Sequence, residues 1–161
     1  MATEIETAIA LRGSGRAEEA RELLLSLLGG GAEDAMLQYQ LAWTHDVLGR
    51  EREAVPYYER ALALGLDGEE RAGALLGLGS TYRALGEYER AAAVLREAVA
   101  EYPGRQEFRA FLAMALHNLG EHSEAMELLL QLVAQTSEDP GIRSYHKAIL
   151  FYSDKLDEVW E

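Results

Sequence analysis

Apolar residues recur along the chain at intervals of three and four positions. One such series is Leu75, Leu78, Tyr82 and Leu85. This spacing is the apolar stripe of an amphipathic helix, and no segment alternates with the period of two that is typical of a strand. A glycine follows each stripe, where a residue with positive φ can end a helix, and a second stripe begins within a few residues. The pattern predicts an all-α protein made of helix–turn–helix units.

The helical pattern repeats with a nearly fixed period. The glycines that end the first stripe of each unit are 34, 37 and 34 residues apart, at Gly15, Gly49, Gly86 and Gly120. Five residues after them stand Ala20, Ala54, Ala91 and Ala125, and nine after them stand Leu24, Tyr58, Leu95 and Leu129. We expect the alanines where paired helices approach closely and the larger residues between units. The period predicts one domain of four repeats, over 1–34, 35–71, 72–105 and 106–139.

The remaining residues, 140–161, are predicted to form one more helix. Its apolar side would hold Ile142, Tyr145, Ile149, Tyr152, Leu156 and Val159. A stack of helix pairs leaves its last apolar face open, and a terminal helix is needed to cover it. The segment is also rich in aromatic residues, so it either only caps the stack or also contacts another molecule. The candidate residues for self-association are Tyr145, Phe151, Tyr152 and Trp160.

The third unit carries a recognisable motif. It contains Leu78-Gly79-x-x-Tyr82, then Gly86-x-Tyr88-x-x-Ala91, followed by Leu95, Ala98 and Pro103. This resembles the tetratricopeptide repeat. The other units are degenerate, since alanine replaces Gly79 in the second and fourth, and Leu66 and Ser137 replace Pro103. As a whole the chain resembles short stand-alone bacterial tetratricopeptide proteins.

The resemblance implies a right-handed α-solenoid in which the first helix of each pair lines a concave face that binds peptides or helices. On this chain the positions of that face are Ile5, Ile9, Met36, Tyr39, Gln40, Trp43, Gly73, Leu76, Gly77, Ser80, Arg83, Phe111, Met114 and His117. Part of this set would simply pack neighbouring helices. The small residues Gly73, Gly77 and Ser80 lie between larger ones, which predicts an apolar hollow that accepts a partner's side chain.

A charged row runs one turn further along the same helices, at Arg12, Asp46, Arg83 and His117. Its alternating sign favours a ladder of contacts along the wall, and the alternative is contact with a polar flank of the ligand. The tetratricopeptide proteins that hold chaperone C-termini use cationic and amide side chains at positions that correspond here to Ile5, Ile9, Gln40, Gly73 and Gly77. None of these supplies a cation, so recognition of a terminal carboxylate is not expected.

Composition limits the partners. The 161 residues carry 15 Lys and Arg against 28 Asp and Glu, a net charge of −13, which argues against nucleic acid because affinity for phosphates comes from basic residues. There is no cysteine, so thiolate chemistry and disulfides are excluded. The acidic N-terminal residues and the lack of a long apolar run predict a cytoplasmic protein that does not bind a membrane.

The residues give no argument for catalysis. Gly77-Leu-Gly79 lacks the further glycine or lysine of a phosphate-binding loop, and the four histidines never fall four residues apart, as a helical metal site requires. His45 holds a packing position of the repeat, so we expect it to be partly buried and structural. We expect no enzyme, cofactor or metal. The sequence predicts a protein–protein interaction module that binds a peptide or helix segment, and the alternative is a homodimer whose groove or C-terminal helix packs on another copy.

Overall fold

A computed structural model describes residues 1–31 and 33–161. The regular elements of these residues are all helices, as predicted; the first predicted repeat, 1–34, contains Ala32, which lies outside the described residues. The helices are α1 (Ala2–Gly13), α2 (Ala17–Gly29), α3 (Ala35–Val47), α4 (Glu51–Ala63), α5 (Gly68–Ala84), α6 (Tyr88–Glu101), α7 (Glu107–Asn118), α8 (His122–Thr136), α9 (Pro140–Ser144) and α10 (His146–Tyr152). Four helix pairs are thus followed by a short helical segment.

Contacts divide the chain into two compact units, Met1–Glu87 and Tyr88–Glu161. In unit 1, each helix from α1 to α5 packs on the next, and α3 also contacts α1 and α5. Its core contains Ile5, Ala8, Ala20, Leu24, Leu37 and Leu41. In unit 2, α7 packs between α6 and α8, and α8 contacts both α9 and α10. Phe108, Leu112 and Leu116 of α7 are buried there.

The turn inside each pair has the same geometry. The four periodic glycines have φ between 69° and 82°, a conformation that side chains disfavour. The residue after each glycine donates its N–H over 2.9 Å to a carbonyl five residues earlier, from Arg16 to Leu11, Arg50 to His45, Glu87 to Tyr82 and Glu121 to Leu116. These bonds satisfy the carbonyl groups at the end of the first helix. The periodic glycine signal therefore has a direct backbone cause.

The alanines of the period are buried, with exposures of 0% for Ala20, Ala54 and Ala91 and 6% for Ala125. The larger residues four positions later differ between the units. Leu24, Tyr58 and Leu95 are buried, whereas Leu129 is 41% exposed. The described helices that follow α8 are the short α9 and α10, which leave Leu129 partly open to solvent.

The C-terminal segment is shorter than predicted. Instead of one helix over 140–161, helix α9 ends at Ser144 and α10 ends at Tyr152. The Ser153 hydroxyl donates to the Leu150 carbonyl and the Lys155 ammonium to the Phe151 carbonyl. These side chains satisfy two of the carbonyl groups that the end of α10 leaves without a helical backbone partner. Leu156 and Val159 therefore lie outside a helix and are exposed.

The hollow predicted around the glycines of α5 is filled by tyrosines of unit 1. A Cβ atom added at Gly73 would overlap the Tyr39 hydroxyl, and one added at Gly77 would overlap the hydroxyl and ring of Tyr58. Both tyrosines are buried. The prediction of an empty hollow was wrong because these small residues admit large side chains from α3 and α4.

The hydroxyl of Tyr58 enters a partly buried polar cluster. It donates to Asp46 Oδ2 over 2.6 Å, while Thr81 Oγ1 lies 3.0 Å from both Asp46 oxygens and 2.7 Å from the Gly77 carbonyl oxygen. Burial raises the pKa of the Asp46 carboxyl above its ordinary value, although the hydrogen bonds from Tyr58 and Thr81 lower it. Burial, followed by the Asp46 charge, raises the pKa of Tyr58 far above its ordinary value, so its phenol stays protonated.

Replacing Gly77 with alanine tests the tyrosine packing. We expect Gly77→Ala to lower the free energy of unfolding by about 1–3 kcal/mol, because the added methyl must displace a tyrosine in a packed core. A matched control is Gly13→Ala, at the end of α1, where an added Cβ meets no atom within 4 Å and stability should rise by less than about 1 kcal/mol. Urea unfolding followed by circular dichroism measures both. If Gly77→Ala and Gly13→Ala were equally stable, the close packing of Tyr58 against Gly77 would be contradicted.

The pH dependence of Asp46→Asn tests the buried carboxyl. Because the folded-state pKa of Asp46 is raised, its ionised form destabilises the fold, and the folded wild type gains stability from this group as pH falls through that pKa. We therefore expect Asp46→Asn to be no less stable than wild type at pH 7, with any advantage shrinking on acidification. Urea midpoints between pH 7 and pH 4 measure the difference, and exposed Asp67→Asn is the control. The opposite result is an Asp46→Asn variant that is less stable than wild type at pH 7 and equally stable in acid. That result would contradict a destabilising effect of the ionised Asp46 carboxyl.

Candidate functional site

The α1–α3 groove is the face of unit 1 formed by two parallel stripes of side chains. Residues Ile5, Ile9 and Arg12 lie on α1 at spacings of four and three, and Met36, Gln40 and Trp43 lie on α3 at the same spacings. Such spacing places each set on one side of its helix. The two helices pack against each other, so the stripes face a common surface. We give this name to these six residues and the cavity between them.

Arg12 joins the two helices at one end of the α1–α3 groove. Its guanidinium donates to the Gln40 carbonyl (3.3 Å), Thr44 Oγ1 (3.1 Å) and Gln40 Oε1 (2.8 Å). The residue is only 8% exposed, and among the described residues no carboxylate oxygen lies within 4 Å of it. Burial lowers the pKa of Arg12, and its charge interactions with Tyr39 and Tyr58 oppose this. An arginine remains charged even so, and neutral groups alone hold this cation.

The contacts correct the predicted ladder of charges. Arg12 bonds to Gln40 and Thr44, whereas Asp46 bonds to Tyr58 and Thr81. The two charged side chains therefore do not pair. Each is satisfied by polar neighbours on the adjacent helices, because those neighbours lie closer than the opposite charge one repeat away.

Trp43 is the large exposed side chain of this face. It is 44% exposed, and the Arg12 guanidinium carbon lies 4.1 Å from the centre of its ring, a cation–π arrangement. An aromatic neighbour of Trp43 is Tyr39, and the centres of the two rings are 5.9 Å apart. Tyr39 itself is buried and also contacts Tyr58. Arg12 and Tyr39 thus hold the indole in position, while part of it remains open to solvent.

A cavity of about 300 Å³ lies at the other end of the groove. Its walls combine apolar and acidic residues, namely Met1, Ala2, Ile5, Glu6, Ile9, Asp34 and Met36. Met36 connects this end with the cation, because its sulfur lies 3.4 Å from Gln40 Nε2 and Gln40 in turn accepts from Arg12. The arrangement can hold an apolar group beside a charged rim.

The predicted site residues on α5 have a mainly structural setting. Gly73, Leu76, Gly77, Ser80 and Arg83 are all partly buried, and α5 packs on α3 and α4. Gly73 and Gly77 lie under Tyr39 and Tyr58. Gly73 and Gly77 thus support the α3 side of the groove through the tyrosines.

The predicted site residues of unit 2 lie on α7. Met114 and His117 are exposed and Phe111 is partly buried. The rings of His117 and His122 are 4.9 Å apart, yet the described part of the chain contains no group of three or more His, Asp or Glu that could hold a metal ion. His45, in unit 1, is buried, with Nδ1 2.8 Å from the Leu41 carbonyl oxygen and its ring stacked on Tyr57.

The C-terminal aromatic residues form a cluster of their own in unit 2. Ring centres are 5.1 Å apart for Phe151 and Tyr152 and 5.4 Å apart for Tyr152 and Trp160. Lys155 lies over the Phe151 ring. Tyr145 is 70% and Trp160 55% exposed. The segment therefore leaves much aromatic surface in contact with water.

Sequence reasoning missed four residues of the cavity lining, namely Met1, Ala2 and the two acidic residues Glu6 and Asp34. They line the cavity beside the predicted Ile5, Ile9 and Met36. Asp34 also caps α3, with Oδ1 accepting from the Leu37 N–H over 2.9 Å. An aspartate just before an apolar periodic segment is a helix-start signal, so Asp34 could have been placed at the start of α3. Glu6 carried no such signal.

The described helices include none long and apolar enough to cross a membrane. No curated protein is significantly similar to the chain in sequence.

Several solved structures share the fold. A crystal structure of MamA is 18% identical, covers 99% of this chain and 78% of its own, and superposes with a TM-score of 0.71. A putative kinesin light chain with nearly identical TPR-like repeats, from Podospora anserina, is 24% identical over 96% of this chain and 85% of its own (TM-score 0.69). YrrB, described as a TPR protein with an unusual peptide-binding site, is 19% identical over 88% and 71% (TM-score 0.73).

Family models match in two places. A model described as tetratrico peptide repeat matches residues 35–156, and a second, described as tetratricopeptide repeat, matches residues 2–26. The first alone spans more than half of the chain, and the matches agree with the glycine period, the helix pairs and the shared fold. The chain belongs to the tetratricopeptide repeat family, whose fold generally serves as a scaffold for protein–protein interactions.

Proposed function

We propose that this chain is a non-catalytic interaction module that binds a segment of a partner protein in the α1–α3 groove. The observation that carries the proposal is the cavity between α1 and α3, with the exposed Trp43 at the other end of the same face. A side chain of the partner would enter the cavity, and the rest of the segment would cover the indole. This is the helix-in-groove type of recognition.

The support beneath Trp43 favours binding. Tryptophan is among the residues that contribute most at protein interfaces, since it buries a large area with little loss of conformational freedom. Here Arg12 lies against one face of the ring and is itself held by Gln40 and Thr44. A side chain that is already positioned loses less entropy when a partner covers it.

The peptide-binding site named for YrrB supports the same type of ligand for this fold. The partly buried Leu76, Ser80 and Arg83 extend the proposed surface on α5. In unit 2, Phe111, Met114 and His117 of α7 are further candidates for contact with a partner. No cofactor or metal is required for binding of this kind.

A library of random 15-residue peptides displayed on phage, selected on the immobilised full chain, tests the proposal. We expect the selected peptides to bind the double variant Ile9→Ala with Trp43→Ala at least about tenfold more weakly, because truncating interface anchors costs this much. Fluorescence anisotropy with labelled peptides gives the dissociation constants. Both replaced side chains are exposed, so circular dichroism should show a retained fold.

The matched control is Met126→Ala with Leu129→Ala, which removes two exposed apolar side chains from α8. It should bind the selected peptides as wild type does. Failure to enrich any peptide, or equal binding by wild type and the Ile9/Trp43 variant, would contradict the proposal.

A second candidate function is self-association through the C-terminal aromatic cluster. It is favoured by the exposure of Tyr145, Phe151, Tyr152 and Trp160. Four aromatic residues that are about half exposed offer roughly 300–500 Å², below the roughly 800 Å² per partner of a standard interface. This shortfall places the homodimer second.

Light scattering from micromolar to millimolar protein concentration separates the two candidates. The leading proposal expects the mass of one chain throughout. A dimer that is lost on replacing Phe151 and Trp160 with alanine would establish the second candidate instead.

A further inference from the structure

We infer that the α1–α3 groove selects partner segments in which an aliphatic side chain is flanked by lysine or arginine. This inference rests on the proposed function and names the chemistry of its ligand. It combines two independent features of the cavity, its apolar interior and its acidic rim.

The interior fits an aliphatic anchor. Ile5 and Ile9 form the α1 wall and Met36 the α3 wall of a space of about 300 Å³. That volume is at the lower limit of ligand pockets, so it admits one or two side chains and not a whole helix. Methionine adapts its shape to different aliphatic groups, and Met1 and Met36 both line the space. The cavity therefore specifies an apolar group of modest size.

The rim carries negative charge. Glu6 and Asp34 stand on opposite sides of the cavity, one on α1 and the other at the start of α3. Asp34 is held in place by its capping bond to Leu37. Among the described residues the Glu6 carboxylate has no hydrogen-bond or ion-pair partner. Two carboxylates thus flank the apolar opening, and one of them is free to pair with an incoming cation.

Local cations do not neutralise this rim. Arg12 is the only basic residue of α1, and α3 contains neither lysine nor arginine. Arg12 is occupied by Gln40 and Thr44, and the Met1 amino group is paired with Glu4 over 2.6 Å. Residues 1–87 hold fifteen Asp and Glu against eight Arg. A ligand with basic flanks is attracted by this field, and an acidic one is repelled.

The charge-neutral variant Glu6→Gln with Asp34→Asn tests the inference. Both changes keep the shape of the side chain, and asparagine caps a helix about as well as aspartate, so the fold should be kept. The control is Glu22→Gln with Asp67→Asn, which removes the same two charges from exposed positions of unit 1 outside the cavity lining. Thermal melts of both variants check the fold.

The probes are the strongest displayed 15-residue peptides from selection on the wild-type chain, measured by anisotropy at low and high sodium chloride. We expect lysine or arginine within three positions of an aliphatic residue in the selected sequences. The Glu6/Asp34 variant should bind them about three- to tenfold more weakly, the effect of two exposed ion pairs. The control should change binding less than about twofold, and added salt should reduce the difference.

The outcomes separate this inference from the proposed function. Peptides that depend on Ile9 and Trp43 but lack basic flanks, or that bind both charge variants equally, would overturn the inference and leave the proposed function standing. Selected acidic peptides would likewise overturn it. A selection that yields no peptide dependent on Ile9 and Trp43 would overturn both.

Discussion

Tyr58 holds three helices of unit 1 in register through one side chain. It belongs to α4, its ring lies over Gly77 of α5, and its hydroxyl donates to Asp46 of α3. This hydrogen bond is partly buried, and it is directional. The position of α3 therefore depends on this contact, and α3 carries Met36, Gln40 and Trp43 on the face proposed to bind a partner. The glycines of α5 leave room for Tyr39 and Tyr58. The α3 side of the α1–α3 groove therefore depends on packing against α5.

The α1–α3 groove combines rigid and adaptable parts. Arg12 is fixed by neutral groups of α3 and supports the Trp43 ring from one face, which keeps an exposed aromatic side chain ready for contact. The cavity at the other end is walled by methionine and isoleucine and rimmed by two carboxylates. The net negative charge of the chain argued only against nucleic acid as a partner. At the cavity, negative charge is carried by Glu6 and Asp34. It predicts the sign of the charge that a bound segment should carry.

Much of the fold followed from the sequence because the repeat determines local geometry. The glycine period predicted four turns whose positive φ and 2.9 Å backbone bonds are observed. The polar cluster of Asp46, Tyr58 and Thr81 could not be predicted, since it joins residues of three helices and depends on their final packing. At Gly73 and Gly77 the small residues indicated free space beside α5. The sequence did not show that Tyr39 and Tyr58 fill that space, because this also depends on the final packing of the helices. At the C-terminus the apolar spacing continued although the helix ended at Tyr152, where the side chains of Ser153 and Lys155 satisfy the final carbonyl groups.

Hydrogen exchange of the full chain, with and without a selected peptide, tests the central claim most directly. Amides of Ala2–Gly13 and Ala35–Val47 are expected to exchange more slowly in the complex, because a bound segment stabilises both helices against local opening. Residues 146–160 should be unchanged. Protection confined to residues 146–160, with α1 and α3 unaffected, would contradict the assignment of the α1–α3 groove as the binding surface.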